Sequence, residues 1–242
     1  MATSFTSEKI LKVVRFPFED KKWIEKLFIL CSMVVGSILI IPTFFLLGYN
    51  YEIQRRMIVE GEEPTLPEWE DWGTLFKNGI KIFTVRFLYS IPYYVIIFPA
   101  MAVTGTLLIV NPDFLNNPIV FLIVMPVILI FFSAASFFGL FTSLFAMAGQ
   151  GHMIAHGEFK AAFRLREVWC VFRSNIGGYL LTYLFLYAIS YFAISVIQIL
   201  GMTIILILVI PFLMILFSAF YSLVSTVLFT QMYIDGAARV GT

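Results

Sequence analysis

The sequence has few charged residues, and they are unevenly placed. Only 13% of its 242 residues are Asp, Glu, Lys or Arg, whereas 60% are hydrophobic. Soluble globular domains are about 45–50% apolar and about 25% charged. No lysine or arginine occurs over residues 87–159 or over residues 174–238. Apolar runs of this length exceed the roughly 20 residues that span a bilayer. The chain is therefore predicted to be an all-α, polytopic helical membrane protein.

Motifs of the common enzyme classes are also missing. The sequence contains no Gly-x-Ser-x-Gly, no P-loop, no Cys-x-x-Cys and no His-Glu-x-x-His. The two cysteines, Cys31 and Cys170, have no motif partner and are interpreted as small packing residues. A net charge of +1 excludes the basic footprint of a nucleic-acid-binding protein. We therefore expect no enzymatic activity, no catalytic residues and no cofactor other than structural lipids.

Four long apolar stretches predict the crossings. They cover residues 23–57, 79–110, 118–155 and 176–233, and the last holds two helices that turn near Gly201. Cytoplasmic flanks of membrane helices collect Lys and Arg. The basic segment 151–175 and the C-terminus with Arg239 are therefore expected inside, and the link at residues 111–118 is expected outside. The bilayer itself is the first predicted partner.

The first apolar stretch leaves two topologies open. A single crossing gives five transmembrane helices and places six basic residues outside. A re-entrant N-terminal hairpin, bent near Pro42, gives four crossings and places all sixteen Lys and Arg on one face. We favour the hairpin. Before it, residues 7–16 are predicted to form a basic amphipathic helix in the membrane interface, ended by Pro17.

The segment "LPEWEDWG", residues 66–73, holds three carboxylates and two tryptophans in otherwise apolar surroundings. Pro67 suits the first turn of a helix, and acidic residues in that turn interact favourably with the positive end of the helix dipole. We expect an interfacial helix from Pro67 with a hinge at Gly79. Tryptophans are predicted to anchor the protein at the headgroup level, and all four take this role: Trp23, Trp69, Trp72 and Trp169.

An offset of 96 residues aligns this region with a later one without gaps. Met57, Ile58, Gly61 and Glu62 recur as identical residues, and seven of 32 aligned positions from 57 to 88 are the same. The chain is therefore interpreted as a single integral membrane domain over residues 1–242. Within it we predict an internal repeat of residues 24–110 and 120–200, with a partial third copy over residues 201–242. Each unit is predicted to be a long helix, a polar elbow, an interfacial helix and a crossing helix. The first elbow follows Met57 and the second follows Met153, and the Met-to-Gly spacing of Met57/Gly61 and Met153/Gly157 recurs at Met232/Gly236.

Four segments give the chain a family resemblance. They are "FPFEDKKW" (16–23), "GYNYEIQRRMIVEGE" (48–62), "LPEWEDWGTLFKNG" (66–79) and "FRLREVWCVFRSNIGGYLL" (163–181). They resemble the pattern of domain of unknown function 4013, found in bacterial and archaeal membrane proteins. The resemblance implies the plasma membrane of a bacterium or archaeon as location. It implies no activity and no catalytic residues.

Tyrosines recur every four residues and predict one helix face. Four-residue steps keep side chains on a slowly rotating face. The face indicates either helix packing, which we favour, or a track for a ligand. The residues are Tyr89 and Tyr93 on one helix and Tyr179, Tyr183, Tyr187 and Tyr191 on another.

Small residues at four-residue spacing predict two helix-packing seams. Such residues let membrane helices approach closely. The seams either hold the bundle together or dock another subunit. They consist of Ala135, Gly139 and Ser143, and of Ser218, Ser222 and Thr226.

His152 and His156 lie four residues apart, a spacing that can bind zinc. Because two ligands alone do not make a site, we predict elbow packing or solvation of these histidines and no metal. The leading functional hypothesis is a non-enzymatic scaffold or accessory subunit that associates with itself or with other membrane subunits. The alternative is a transporter or a lipid- or ion-handling protein. A metal-dependent membrane enzyme rests on the two histidines only.

Overall fold

The computed structural model describes residues 7–110, 118–202 and 208–241. Over these ranges the chain is helical and contains no strand. Four helices are long and apolar enough to cross a membrane. The prediction of an all-α, polytopic membrane protein is confirmed. The α-helices of the described ranges are α1 Ser7–Arg15, α2 Trp23–Gly36, α3 Ile41–Arg55, α4 Trp72–Val110, α5 Pro118–His156, α6 Leu165–Ser174, α7 Ile176–Gly201 and α8 Ile210–Val240.

The first apolar stretch forms a helical hairpin. Helices α2 and α3 have 14 and 15 residues, about 21 to 23 Å at 1.5 Å per residue, which is too short for a hydrocarbon core of about 30 Å. The chain reverses at Ile40, whose φ is 65°, and Pro42 then occupies the first turn of α3. The predicted bend near Pro42 is confirmed, and the four spanning helices are α4, α5, α7 and α8.

The amphipathic helix at the N-terminus is present as α1, and it packs against α8. Val13 in this helix and Phe16 directly after it are each 2% exposed, whereas Leu11 is exposed. The predicted apolar face of this helix is Ile10, Leu11 and Val14, but Val13 is the most buried of its described side chains. Packing against α8 explains the difference, because it covers a side that the local pattern did not single out.

The prediction of a helix from Pro67 is wrong. Residues 61–71 are not helical, and α4 begins only at Trp72. The carbonyl oxygens of Leu66 and Pro67 instead accept hydrogen bonds from Lys26 and Tyr49. The side chain of Asp71 accepts from the Thr74 amide at 3.0 Å, so it caps the start of α4.

Gly79 is not a hinge, because α4 continues through it. Glycine is needed there for close helix packing. A Cβ on Gly79 would lie 1.7 Å from the carbonyl oxygen of Phe44, and one on Gly48 would lie 1.8 Å from that of Leu75. Helices α3 and α4 therefore touch backbone to backbone at these two glycines.

The second elbow does contain the expected interfacial helix. Helix α5 ends at His156, and Gly157 follows with a φ of 68°, the left-handed conformation that commonly ends a helix. Helix α6 then packs against α8 before α7 begins at Ile176. Gly61 ends the first elbow's helix with the same φ of 68°. Gly236, by contrast, lies inside α8, so the third Met-to-Gly spacing does not mark a helix end.

The chain divides into two compact units. The first, Met1–Thr84 with Ala148–Thr242, holds the hairpin, both elbows and helices α6 to α8. The second, Val85–Met147, consists of parts of α4 and α5. Within it the Tyr89 ring packs edge-on against Phe145, with centroids 5.4 Å apart.

Candidate functional site

A buried lysine joins the hairpin to the first elbow. The side chain of Lys26, on α2, is 4% exposed. Its Nζ lies 2.7 Å from Asp20 Oδ2, 2.9 Å from Glu68 Oε1 and 2.8 Å from the Leu66 carbonyl oxygen. Three oxygen partners satisfy the three donors of the ammonium group. Lys26 is one of the six basic residues that precede or begin the first apolar stretch, and no local signal in the sequence indicates its burial.

The contacts among Lys26, Asp20 and Glu68 also shift the pKa values of Asp20 and Lys26. The hydrogen bond from Lys26 holds the pKa of Asp20 below its ordinary value of 3.8. Burial alone lowers the pKa of an ammonium group, but hydrogen bonds to Asp20 and Glu68 outweigh it and leave the pKa of Lys26 raised. The charged forms of both groups are therefore the stable ones in the folded protein.

Trp69 does not anchor the protein at the membrane surface. It is only 9% exposed, and its ring stacks on Tyr49 with centroids 4.2 Å apart and an angle of 10° between the planes. A ring covered by protein does not reach lipid headgroups, so the anchoring prediction is wrong for Trp69. The predicted anchors that keep an exposed part are Trp23, Trp72 and Trp169.

The two histidines of the chain meet a carboxylate from α6. Nε2 of His152 lies 3.0 Å from Glu167 Oε2, and Nδ1 lies 3.2 Å from the Tyr233 hydroxyl. Nδ1 of His156 donates to the His152 carbonyl oxygen at 3.0 Å. His152 is 1% exposed, whereas His156 and Glu167 are exposed. The predicted elbow packing is present for His152, and tertiary structure adds Glu167, 15 residues away.

The tyrosines of α7 do not share one environment. Tyr179 is fully buried and its hydroxyl has no hydrogen-bond partner within the described parts of the chain. Tyr183 is half-buried, whereas Tyr187 and Tyr191 are 58% and 69% exposed. Each four-residue step rotates by about 40° around the helix. The rotation carries the row from the interior to the surface, so the four hydroxyls do not line a common track.

The first seam packs inside the second unit. Ala135 is 5% exposed, and a Cβ on Gly139 would lie 2.9 Å from the Tyr93 ring. Ser143 stays exposed. Gly139 thus makes room for an aromatic ring of the same unit, which is a packing role for both Gly139 and Tyr93.

The second seam holds α8 against the hairpin. Asn50 on α3 donates a hydrogen bond of 2.9 Å to the hydroxyl of Ser222. Thr226, one turn on, is 5% exposed, and Ser218, one turn before, is exposed. Two of the three seam residues, Ser222 and Thr226, therefore pack against other parts of the same chain.

An apolar cleft of about 610 Å³ lies between the N-terminal segment, α7 and α8. Among the described residues all of its lining side chains are apolar. No local pattern in the sequence indicates the cleft, because its walls come from distant parts of the chain. The walls are Phe18, Trp23 and Leu27 from the N-terminal segment, Phe192, Ala193, Val196, Ile197 and Leu200 from α7, and Leu213, Leu216, Phe217 and Phe220 from α8.

Comparison with known families identifies the chain. The family model described as protein of unknown function (DUF4013) matches residues 35–205. The chain belongs to the DUF4013 family. Three of the four segments that carried the resemblance in this DUF4013 protein lie inside the matched range, and "FPFEDKKW" precedes it. No curated protein and no solved structure matched the chain.

Proposed function

We propose that this DUF4013 protein is a non-enzymatic membrane protein that holds the acyl chain of a phospholipid in its apolar cleft. The cleft itself carries the proposal, since it combines a volume of about 610 Å³ with an apolar lining over the described residues. Apolar cavities stay dry and take up hydrocarbon. For a chain with four membrane-spanning helices, the hydrocarbon at hand is the lipid acyl chain.

The N-terminal wall of the cleft suits a lipid headgroup. Trp23 lines the cleft, and Lys21 and Lys22, both exposed, directly precede it. Tryptophan favours the headgroup level, and lysine ammonium groups attract the phosphates of lipids. The bound lipid is therefore expected to place its phosphate beside these lysines and its chain along α7 and α8.

Filling the cleft tests this proposal. Ala193 lines the cleft, and Ala188, an exposed alanine on the same helix, does not. Native mass spectrometry of protein extracted in mild detergent should show one retained phospholipid for the wild type and for Ala188→Trp. Ala193→Trp should lose most of it, because the indole occupies the volume of the acyl chain.

Two results would contradict the lipid proposal. One is a wild-type protein that carries no phospholipid once the surrounding lipid is stripped. The other is equal retention by Ala193→Trp and Ala188→Trp, which would place the retained lipid elsewhere on the surface.

The scaffold or accessory-subunit hypothesis stays a prediction with less support. It depended on the two small-residue seams, and Gly139 and Ser222 pack within the chain. Ser143 and Ser218 remain exposed at the ends of the seams and are the positions that a second copy or another subunit would contact. A larger complex in native mass spectrometry, lost in Ser143→Leu or Ser218→Leu, would support it.

The proposed location is the plasma membrane of a bacterium or archaeon, with both elbows and the C-terminus in the cytoplasm. The distribution of Lys and Arg supports this orientation. The hairpin supports a re-entrant segment, because residues 38–41 at its tip are four consecutive exposed apolar residues, between 59% and 87% exposed. Such a tip is stabilised by lipid rather than by water.

A further inference from the structure

The second elbow brings together three side chains that share a metal-ligand chemistry. One ligand atom from each of His152, His156 and Glu167 lies within 4.8 Å of the others. We propose that these three residues bind one divalent transition-metal ion, with Zn²⁺ as the preferred ion. The site is separate from the apolar cleft, since no residue is common to the two.

The spacing of the ligand atoms fits zinc. Zinc bonds to histidine nitrogen and carboxylate oxygen are about 2.0 to 2.1 Å, so neighbouring ligand atoms in a tetrahedral site lie about 3.3 Å apart. His152 Nε2 and Glu167 Oε2 are already 3.0 Å apart. His156 and Glu167 are exposed, so small side-chain rotations can bring all three atoms around one ion.

Hydrogen bonds orient both imidazole rings for this purpose. A carbonyl oxygen only accepts, so Nδ1 of His156 carries the proton that it donates to the His152 carbonyl. Nε2 of His156 then holds a lone pair, which is the form that binds metals. The ring centroids of the two histidines are 4.2 Å apart, and one ligand atom of each ring lies within 4.8 Å of the other and of the Glu167 carboxylate.

Tyr233 supplies the outer contact that metal-bound histidines usually have. Its hydroxyl lies 3.2 Å from Nδ1 of His152. A phenol both donates and accepts hydrogen bonds. It can therefore accept from Nδ1 when Nε2 binds the ion, and donate to Nδ1 when Nε2 carries a proton that contacts Glu167.

Arg164 is the competitor of the ion. Its guanidinium lies 3.6 Å from Glu167 and 3.2 Å from Glu158. When Glu167 turns toward a metal, Arg164 keeps Glu158 as its partner. Two histidines and one carboxylate are a ligand set that zinc sites with an open coordination position use, and imidazole nitrogen also suits Co²⁺.

The experiment is titration of the full-length protein with Zn²⁺ by calorimetry, and with Co²⁺ by visible absorption. The protein must carry a purification tag without histidine, because the chain itself contains only two. Wild type should bind one equivalent. His156→Ala and Glu167→Gln should weaken binding at least about tenfold, and Tyr233→Phe should weaken it about tenfold through the outer contact.

The comparison variant is Glu158→Gln, since Glu158 also pairs with Arg164 but is not among the ligands. It should weaken binding less than Glu167→Gln, because Arg164 then competes more strongly for Glu167 but all three ligands remain. Arg164→Gln should bind zinc more tightly, because a repelling charge is removed, and misfolding cannot produce that gain. No stoichiometric binding by wild type would overturn the proposal. Equal losses in Glu158→Gln and Glu167→Gln, or an unchanged affinity in His156→Ala, would do the same.

Discussion

The side-chain amide of Gln150 donates a hydrogen bond of 2.6 Å to that of Gln54. Both side chains are buried, at 0% and 4% exposure. They lie 96 residues apart, which is the offset that aligns the two elbows. Gly61 and Gly157, at the same offset, end their helices with the same φ of 68°. A contact between equivalent residues is what a two-fold relation between repeats produces; the internal repeat itself stays a prediction.

The glutamine pair should be thermodynamically coupled. Gln54→Leu or Gln150→Leu alone leaves a buried amide without this partner, which costs about 1–3 kcal/mol of unfolding free energy. The double variant should lose less than the sum of the two, because no amide is left over. Denaturant unfolding in detergent micelles measures the three values. Strict additivity would show that the two amides act independently.

The contact between α3 and α4 should not tolerate a methyl group. Gly48→Ala and Gly79→Ala each place a Cβ within 2 Å of a carbonyl oxygen, and backbone cannot yield as a side chain can. We expect losses of about 3 kcal/mol or more. Gly177→Ala is the control, because its Cβ would meet nothing within 4 Å. That variant should be neutral or slightly more stable, since alanine favours helix.

Acid should weaken the tie between the hairpin and the first elbow. The pKa of Asp20 is lowered in the folded protein by its hydrogen bond from Lys26. A lowered pKa contributes stability that is complete above the ordinary value of 3.8 and is lost as the pH falls through the folded value. Asp20→Asn should therefore remove part of the drop in unfolding free energy below pH 3.8. Glu19→Gln, at an exposed neighbour, should leave that drop unchanged.

The hairpin tip should lie in hydrocarbon. Ile38 is 87% exposed, and Val59, at the first elbow, is 55% exposed. A fluorophore on Ile38→Cys should be quenched by lipids with spin labels on their acyl chains, whereas one on Val59→Cys should not. Equal quenching at both positions would mean that the tip is not inserted.

Both elbows should face one compartment. In a variant with Cys31→Ser and Cys170→Ser, single cysteines at Glu70 and Arg166 should react with a membrane-impermeant maleimide only after the cell is opened. Cys170 is exposed on α6, so its replacement is necessary for a clean background. Labelling of only one of the two positions in intact cells would contradict the proposed orientation.

Local sequence patterns predicted some features of the hairpin and the elbows correctly and others incorrectly. The end of α5 before Gly157 and the bend near Pro42 follow from residue types that act on their own backbone. Trp69 was misread as a surface anchor, because its stacking partner Tyr49 lies 20 positions earlier and the local pattern carries no sign of the contact. The helix from Pro67 failed for a similar reason, since Tyr49 takes a carbonyl that a helix would need.

The candidate sites depended on contacts between distant parts of the chain. His152 and His156 share a helix face by their spacing, but Glu167 reaches them only because α6 folds back beside the end of α5. The apolar cleft has walls from the N-terminal segment, α7 and α8. Long-range packing of this kind leaves no periodic signal along a single segment.

The amino-acid sequence alone determined that this chain is a helical membrane protein, because transfer of an apolar segment into lipid depends on that segment's own composition. It left four and five crossings open, and the tertiary structure gives four helices long enough to span the membrane. Only the tertiary structure decided which polar groups are buried together, among them Lys26 with Asp20 and Glu68, and Gln54 with Gln150. A buried polar group must find its partner in three dimensions, and the partner's position in the chain is set by the fold rather than by spacing.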